Sequence, residues 1–262
     1  MKKQGIQKIE DFVHLAKADV HIHTLYSDGA PSVAELLKYV ETKTDLDVIA
    51  ITDHDTIQGA LEAKKLMKEN KYRFELILGE EISSVEGHIL GLFLKNEIPG
   101  GLPAHKVLKE IHAQGGIAIA SHPFEQTRFK NPKMVTMDGV GPVTLIKHRH
   151  DFDGIEVVNA TPTLDDENLR ASALNETILG LAETGSSDGH IVEAVGRGYT
   201  LFEGKSALDF KQAILSRQTQ AMHSSWSLLS LLKYFFFFVP KGFRLAVNTV
   251  LHGQTPKRSD IF

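Results

Sequence analysis

The sequence predicts an α/β fold built on a mainly parallel sheet, open or closed, and two observations carry that prediction. Short continuous apolar runs, of the kind that fill strands buried on both faces, alternate with segments of helical period. Those runs also end in histidines and carboxylates, so the polar chemistry collects at the C-terminal ends of the strands.

The elements follow in order. "ADVHIHT", residues 18–24, reads as a strand; residues two apart share a face, so His21 and His23 project together with Ile22 opposite, and Asp28 lies just beyond. "SVAELLKYVETK" is a helix with Ser32 as its N-cap. "LDVIAITDHD" is a buried parallel strand that ends in Asp53, His54 and Asp55, and "TIQGALEAKKLMKEN" is the helix after it, for which Asp55 could serve as cap. "FELILGEEIS" is a strand that delivers Glu80 and Glu81. "GHILGLFL" follows after a turn, and as the return arm of a hairpin it would bring His88 to the same rim. "AHKVLKEIHAQGG" is a helix stopped by glycines. "IAIASHP" is a strand ending at His122.

Residues 125–150 break the rhythm and read as an inserted loop with some helix, carrying Arg128, Lys130, Lys133, Lys147 and Arg149. "GIEVVNA" is a strand with Asn159 at its end, "LDDENLRASALNETILGLAE" is mainly helix, and "TGSSDGH" holds a short strand that delivers Asp188 and His190. "SALDFKQAILSRQ" is a helix near the end.

Composition narrows the function. With 262 residues, of which 42% are apolar and 24% charged, the chain can bury the core of one large domain. A net charge of −4 gives no general coat for nucleic acid or an anionic membrane. The absence of cysteine excludes disulfides, thiolate metal sites and cysteine nucleophiles, and suits a cytoplasmic setting. "MKKQGIQKIEDF" has no apolar run and is not a secretory signal. The most apolar stretch, Trp226 to Pro240, is shorter than the roughly 20 residues that span a bilayer, and Lys233 interrupts it. A helix packed on the exterior of the domain is favoured over contact with a membrane or an oligomer partner.

A lone histidine at a strand end is usually structural. Five strand ends bearing histidine or carboxylate are harder to explain that way, because buried charges are costly unless paired or bound to metal. His21, His23, Asp28, His54, Glu80, His88, His122, Asp188 and His190 form nine candidate ligands. A single ion uses about four to six, so the set suits two or three divalent ions; all-N/O donors favour Mn, Zn or Fe.

"HIHTLYSDG", "TDHD", "GEE", "GHILGLF", "SHP" and "SSDGH" occur in the order found in the PHP (polymerase and histidinol phosphatase) family, and the chain resembles that family from about Ala18 to Tyr199. The resemblance is nearest to its stand-alone phosphoesterases. It implies a distorted (β/α)7 barrel, expected over residues 1–206 and interrupted at about 125–150; the part after Ser206 carries no motif of the family, and 207–262 is expected as a helical segment packed on or extending the barrel. It also implies a metal cluster at the C-terminal mouth of the strands, with all nine residues as ligands and Glu80 as the bridging carboxylate. The implied chemistry is hydrolysis of a phosphate ester by water activated between paired ions, with Glu80, His54, Asp188 and His190 as the catalytic set. His54 and His190 are the candidate proton donors to the leaving group.

Phosphate also needs fixed positive charge, for which Arg128 and Arg197 are candidates; Asn159 is a further candidate for substrate contact. Asp53 and Asp55 could orient ligand imidazoles. The expected substrate is a nucleotide or a short oligonucleotide such as RNA, acted on without a stable nucleic-acid complex. A histidinol-phosphate-type phosphatase and a non-catalytic metal-stabilised module are the alternatives. Amidohydrolysis is disfavoured, because the fourth main strand end offers His122 without a lysine and the last an Asp-x-His pair.

Overall fold

The computed structural model of the chain describes residues 15–125 and 139–237. Among the described residues nine strands form one sheet: β1 (Leu15–Asp19), β2 (Val48–Ile51), β3 (Glu75–Ser83), β4 (His88–Leu92), β5 (Ile117–Ala120), β6 (Gly154–Asn159), β7 (Ala182–Ser186), β8 (Gly198–Glu203) and β9 (Thr219–His223). Their order is β7-β6-β5-β4-β3-β2-β1-β8-β9. The pairs β1/β2, β2/β3, β5/β6 and β6/β7 are parallel, whereas β4, β8 and β9 run against their neighbours. Those three strands are what distorts the barrel from a uniform β/α repeat.

The sheet curls until its two ends nearly meet. Thr200 Oγ1 donates to Gly185 O at 2.9 Å, and Thr219 Oγ1 donates to Glu183 O at 2.7 Å, which ties β7 to β8 and β9. Glycine permits the approach: a Cβ on Gly198 would stand 2.0 Å from Ser186 O, and one on Gly185 2.5 Å from Tyr199 O.

The helices α1 (Val33–Lys43), α2 (Gln58–Glu69), α3 (Ala104–Ala113), α4 (Gly141–Lys147), α5 (Asp165–Leu174) and α6 (Ala207–Ser216) surround or plug this barrel. Ser32 caps α1 as its sequence position predicts, accepting from Glu35 N while Glu35 returns a bond to the Ser32 backbone. Asp55 does not cap α2; its N-cap position is Ile57.

Strand residues alternate between two environments. Ala50, Ile77, Leu90, Leu92, Ile117, Ile119 and Ala182 line the barrel interior together with Phe210 and Ile214 of α6, which fills one end. Ile49 and Ile51 face α1 and α2, while Ala118, Ala120, Ile155 and Val157 face α3, α4 and α5. This alternation decides which side chains reach the rim.

The segment after 206 is not only helical. It contributes β9 to the sheet and then a further helix, α7 (228–237). Trp226, Tyr234 and Phe237 seat α7 on Ile191 and Ala194. Among the described residues no helix is long and apolar enough to cross a membrane. The basic residues Arg128, Lys130 and Lys133 of the expected insertion lie outside the described residues, and 139–150 contains α4.

Candidate metal centre

The rim loops are locked to one another before any ligand is considered. Just past β1, Ile22 bridges Gly189; His23 N donates to Gly189 O at 3.0 Å and Gly189 N to His21 O at 3.2 Å. Just past β2, Asp55 N donates to Glu81 O at 3.0 Å and Glu81 N to Asp53 O at 3.2 Å. Asp53 accepts from Thr24 N, Thr24 Oγ1 and Ser27 Oγ, each at 2.7 Å, and so fastens the loop that presents Asp28. His122 (φ 23°) and Asp188 (φ 50°) occupy the left-handed region that side-chain-bearing residues avoid, a cost that recurs where a functional group must be aimed.

This framework brings together eight of the nine predicted residues, all except Glu80, and adds Glu81. Glu81 sits at the centre. Its Oε2 lies 3.2 Å from His21 Nε2, 3.4 Å from His23 Nε2 and 3.1 Å from His54 Nδ1. Its Oε1 lies 3.1 Å from His88 Nδ1 and 3.0 Å from His122 Nε2. Asp188 Oδ1 closes one side, 3.5 Å from His21 Nε2 and 3.2 Å from His23 Nε2. Asp28 closes another, with Oδ1 3.2 Å from His190 Nε2 and Oδ2 3.6 Å from His54 Nε2. Four overlapping donor groups result: His23, Asp28, His54 and His190; His21, His122 and Asp188; His21, His23 and Glu81; and His54, Glu81 and His88.

The far nitrogens of several rings are tied down, which fixes ring orientation and tautomer. His21 Nδ1 donates to Glu156 Oε1 at 2.9 Å. His190 Nδ1 donates to the Asp188 carbonyl at 3.0 Å. His122 Nδ1 lies 3.0 Å from Glu125 Oε2, while its backbone N–H donates to Glu156 Oε2 at 2.7 Å. Glu156 also accepts from Ser186 Oγ, and Asn159 Nδ2 donates to Asp188 Oδ2 at 3.1 Å.

The donors fit metal ions by a test internal to the structure. His21 Nε2, His23 Nε2, His88 Nδ1 and Glu81 Oε2 are buried without hydrogen-bond geometry to any partner. Buried polar atoms normally find one. These atoms gather around Glu81, which is what shared cations would satisfy.

The electrostatics agree. Burial alone would lower the His21 pKa, but Asp188, Glu81 and Glu156 outweigh it and hold it well above the ordinary imidazole value. Burial is likewise overcome at His122, chiefly by Glu125, and at His190, where Asp28 brings the pKa to about 9. On the acidic side burial would raise Glu81, yet His54, His21 and His88 hold it well below the usual carboxylate range. His190 and His54 do the same for Asp28, and His21 and His23 for Asp188, both against burial. Without metal the cluster keeps its carboxylates ionised and stores protons on its rings.

Several expectations need correction. Glu80 is not the bridging carboxylate. Neighbouring strand residues face opposite ways, and Glu80 points out of the barrel, where its Oε2 accepts from Ile98 N at 2.9 Å. Burial pushes its pKa up to about 8. Arg197 does not reach the cluster: its Nε donates to Glu193 O and its Nη1 to Ser225 O, at 3.2 and 3.0 Å, which pins α7's approach to the barrel. Asn159 is buried, with its amide committed to Asp188 and Glu156, so it orients a carboxylate rather than meeting substrate. Asp53 and Asp55 hold loops, not imidazoles; Asp55 Oδ1 accepts from Ser83 N at 2.7 Å. Arg128 lies outside the described residues.

Glu156 escapes the sequence reading altogether. Its signal is there: a carboxylate in the middle of the apolar run "GIEVVNA" must have a buried partner.

The chain is similar to known proteins. A family model described as the PHP domain matches residues 19–224. An uncharacterized protein of Methanocaldococcus jannaschii is 38% identical over 179 residues, covering 64% of this chain and 94% of its own. A 5'-3' exoribonuclease of Haemophilus influenzae is 39% identical over 104 residues, covering 37% of each chain. A two-domain protein of Bacteroides vulgatus, described as containing a predicted PHP-like metal-dependent phosphoesterase, superposes with a TM-score of 0.63 at 20% identity. The match covers 80% of this chain and 65% of that one.

Proposed function

Because this chain belongs to the PHP domain family, we propose that it is a metal-dependent phosphoesterase that hydrolyses nucleotides or short oligonucleotides at the rim cluster. One observation carries the reading: Glu81 turns one oxygen to His21, His23 and His54 and the other to His88 and His122. A carboxylate so placed can serve two cations at once.

His21, His23, His54, His88, His122 and His190, with Glu81, Asp28 and Asp188, would hold two or three ions, Mn, Zn or Fe by donor type. When bound, such ions lower the pKa of water towards about 7 and neutralise charge on a phosphoryl group. The chain supplies the rest. Glu156, Glu125 and the Asp188 carbonyl hold His21, His122 and His190 by their far nitrogens, so the inward nitrogens stay aimed without reorganisation. Asn159 keeps Asp188 turned inward. His54 faces Glu81 with Nδ1 and Asp28 with Nε2, and His190 is engaged at both nitrogens, so both rings act as ligands rather than as proton donors.

The nucleotide preference draws support from the exoribonuclease of Haemophilus influenzae, which shares just over a third of its length with this chain. The test is an assay of nucleoside bisphosphates, 5′-phosphorylated oligoribonucleotides, histidinol phosphate and simple phosphomonoesters, with Mn²⁺ and with chelator. The account expects turnover of the nucleotide substrates that chelation abolishes. Rapid hydrolysis of histidinol phosphate with none of the nucleotides would overturn the preference; turnover unaffected by chelator would overturn the metal reading.

A further inference from the structure

The family match ends at residue 224, just before Trp226, the single tryptophan of the chain. The residues that follow nevertheless reach the metal centre. Ser227 caps α7, its Oγ accepting from Ser230 N at 3.1 Å. From that cap Ser230 and Tyr234 fall four apart on one face of the helix, and both are buried. Tyr234 packs with Ile191 and Ala194, in the loop that carries His190. Trp226 stands edge-on to it, with ring centroids 5.3 Å apart.

Both aromatic side chains spend their polar ends on one short stretch of chain just past β6. Trp226 Nε1 donates to Ala160 O at 2.8 Å, and the Tyr234 hydroxyl bonds the Thr161 side chain. Buried tyrosine and tryptophan usually find a partner; here the two partners are neighbours in sequence. Burial, and next the Asp188 carboxylate, push the Tyr234 pKa up, which marks the hydroxyl as lying on the metal-centre side of its ring.

That stretch leads directly to a metal-ligand candidate. Thr161 N donates to Asn159 Oδ1 at 3.0 Å, and Asn159 Nδ2 donates to Asp188 Oδ2 at 3.1 Å. The other oxygen of Asp188 meets His21 and His23, at 3.5 and 3.2 Å. Asp188 holds a left-handed backbone, φ 50°, which persists only where the surroundings enforce it. Ala160 N also donates to Ser186 O at 3.0 Å, so the loop past β6 and the loop past β7 are joined where the two aromatics bear on them.

We propose that Trp226 and Tyr234 form a clamp that positions Asp188 for metal binding, acting through Thr161 and Asn159. The proposal rests on the metal-centre reading above, but on no particular substrate. Two residues beyond the family match thereby tune a centre whose ligands all lie within it.

The experiment is calorimetric titration of the metal-free full chain with Zn²⁺, in wild type, in Tyr234→Phe, which removes only the hydroxyl, and in Trp226→Phe, which removes the indole N–H. Each variant is expected to bind Zn²⁺ about tenfold more weakly, the usual effect of disturbing a group behind a ligand, at a temperature where thermal unfolding shows it folded. Asn159→Ala is expected to lose at least as much. Adding Tyr234→Phe to it should then cost less than about twofold more, because the two act in series. The emission of Trp226 should shift as wild type takes up Zn²⁺ and shift less in Tyr234→Phe, since a clamp that favours metal is favoured by metal in return. Zn²⁺ affinity within about twofold of wild type in either single variant would overturn the clamp, even if that variant melts earlier, as would an undiminished effect of Tyr234→Phe on the Asn159→Ala background. A wild type that takes up no Zn²⁺ would overturn the metal reading and the clamp together. One that binds Zn²⁺ but hydrolyses no phosphate ester would overturn the proposed function alone, and the variant affinities would still decide the clamp.

Discussion

Glu80 and Glu81 are adjacent, chemically identical and both fully buried on β3, yet they live in opposite worlds. Glu81 enters the barrel mouth among five imidazoles, which hold it ionised. Glu80 turns to the layer outside the sheet, meets one backbone N–H, and is pushed up to about 8 by burial, with Glu97 and Asp55 adding to the shift. The pleat alone separates a group built to bind cations from one that is neutral at the ordinary pH of a cell.

The largest effect should follow from removing the inner member. Glu81→Gln takes the charge from among five imidazoles and from two of the four donor groups, and is expected to reduce phosphoesterase turnover by about 10³-fold or more, measured at saturating Mn²⁺. A variant within tenfold of the wild type would break the contrast between the two carboxylates.

Next in size is the support behind the donor groups. Glu156→Gln would keep the shape but loosen the hold on His21 and the His122 loop, with an expected loss of 10- to 100-fold in metal affinity or rate, about the usual cost of disturbing such a partner. Titration with metal, followed by calorimetry, separates the two. An unchanged affinity together with an unchanged rate would mean that His21 is oriented without Glu156.

The stored protons give a third test. His190 is held at about 9, and His21 and His122 are also raised, so at pH 7 the metal-free cluster carries protons that ions must displace. Metal binding at pH 7 should release protons, and affinity should climb as pH rises towards 9. Calorimetry in buffers of different ionisation enthalpy reads this directly; net proton uptake would contradict it.

The smallest effect on function, and an informative one on stability, belongs to Glu80→Gln. Glu80 has its folded pKa raised from 4.5 to about 8, so between those values the folded chain binds more protons than the unfolded one. Its contribution is present below about 4.5 and lost as pH rises through 8. The metal-free variant should therefore escape that loss and be more stable than wild type at pH 8, on the order of a few kcal/mol, and equal to it near pH 4.5. Denaturant melts at the two pH values check the sign. A variant less stable at pH 8 would show Glu80 to be ionised and partnered.

The contrast also shows what the sequence could and could not disclose. The strand ends and eight of the rim residues were legible for one reason, whereas closure of the sheet into a barrel followed only from the family resemblance. Histidines and carboxylates at the ends of buried apolar runs are cut off from water, so they must satisfy one another or share a cation. Choosing between Glu80 and Glu81 was not possible in the same way. In "ELILGEEIS" residues on both faces are apolar before the glutamates, so the alternation that normally marks the inner face is silent. Parity is set by pairing with β2 and β4, which only the fold supplies. Glu156 was legible in principle, since a charge inside "GIEVVNA" demands a partner. Arg197 misled because closeness in sequence to His190 does not place its guanidinium on the same side of the loop.

The metal content of three proteins, measured by elemental analysis after purification and reloading, tests the central claim most directly. Wild type and Glu80→Gln should retain two or three ions per chain, while Glu81→Gln should lose at least one. Loss of metal from Glu80→Gln, with full occupancy in Glu81→Gln, would contradict the assignment of Glu81 as the carboxylate at the heart of the site.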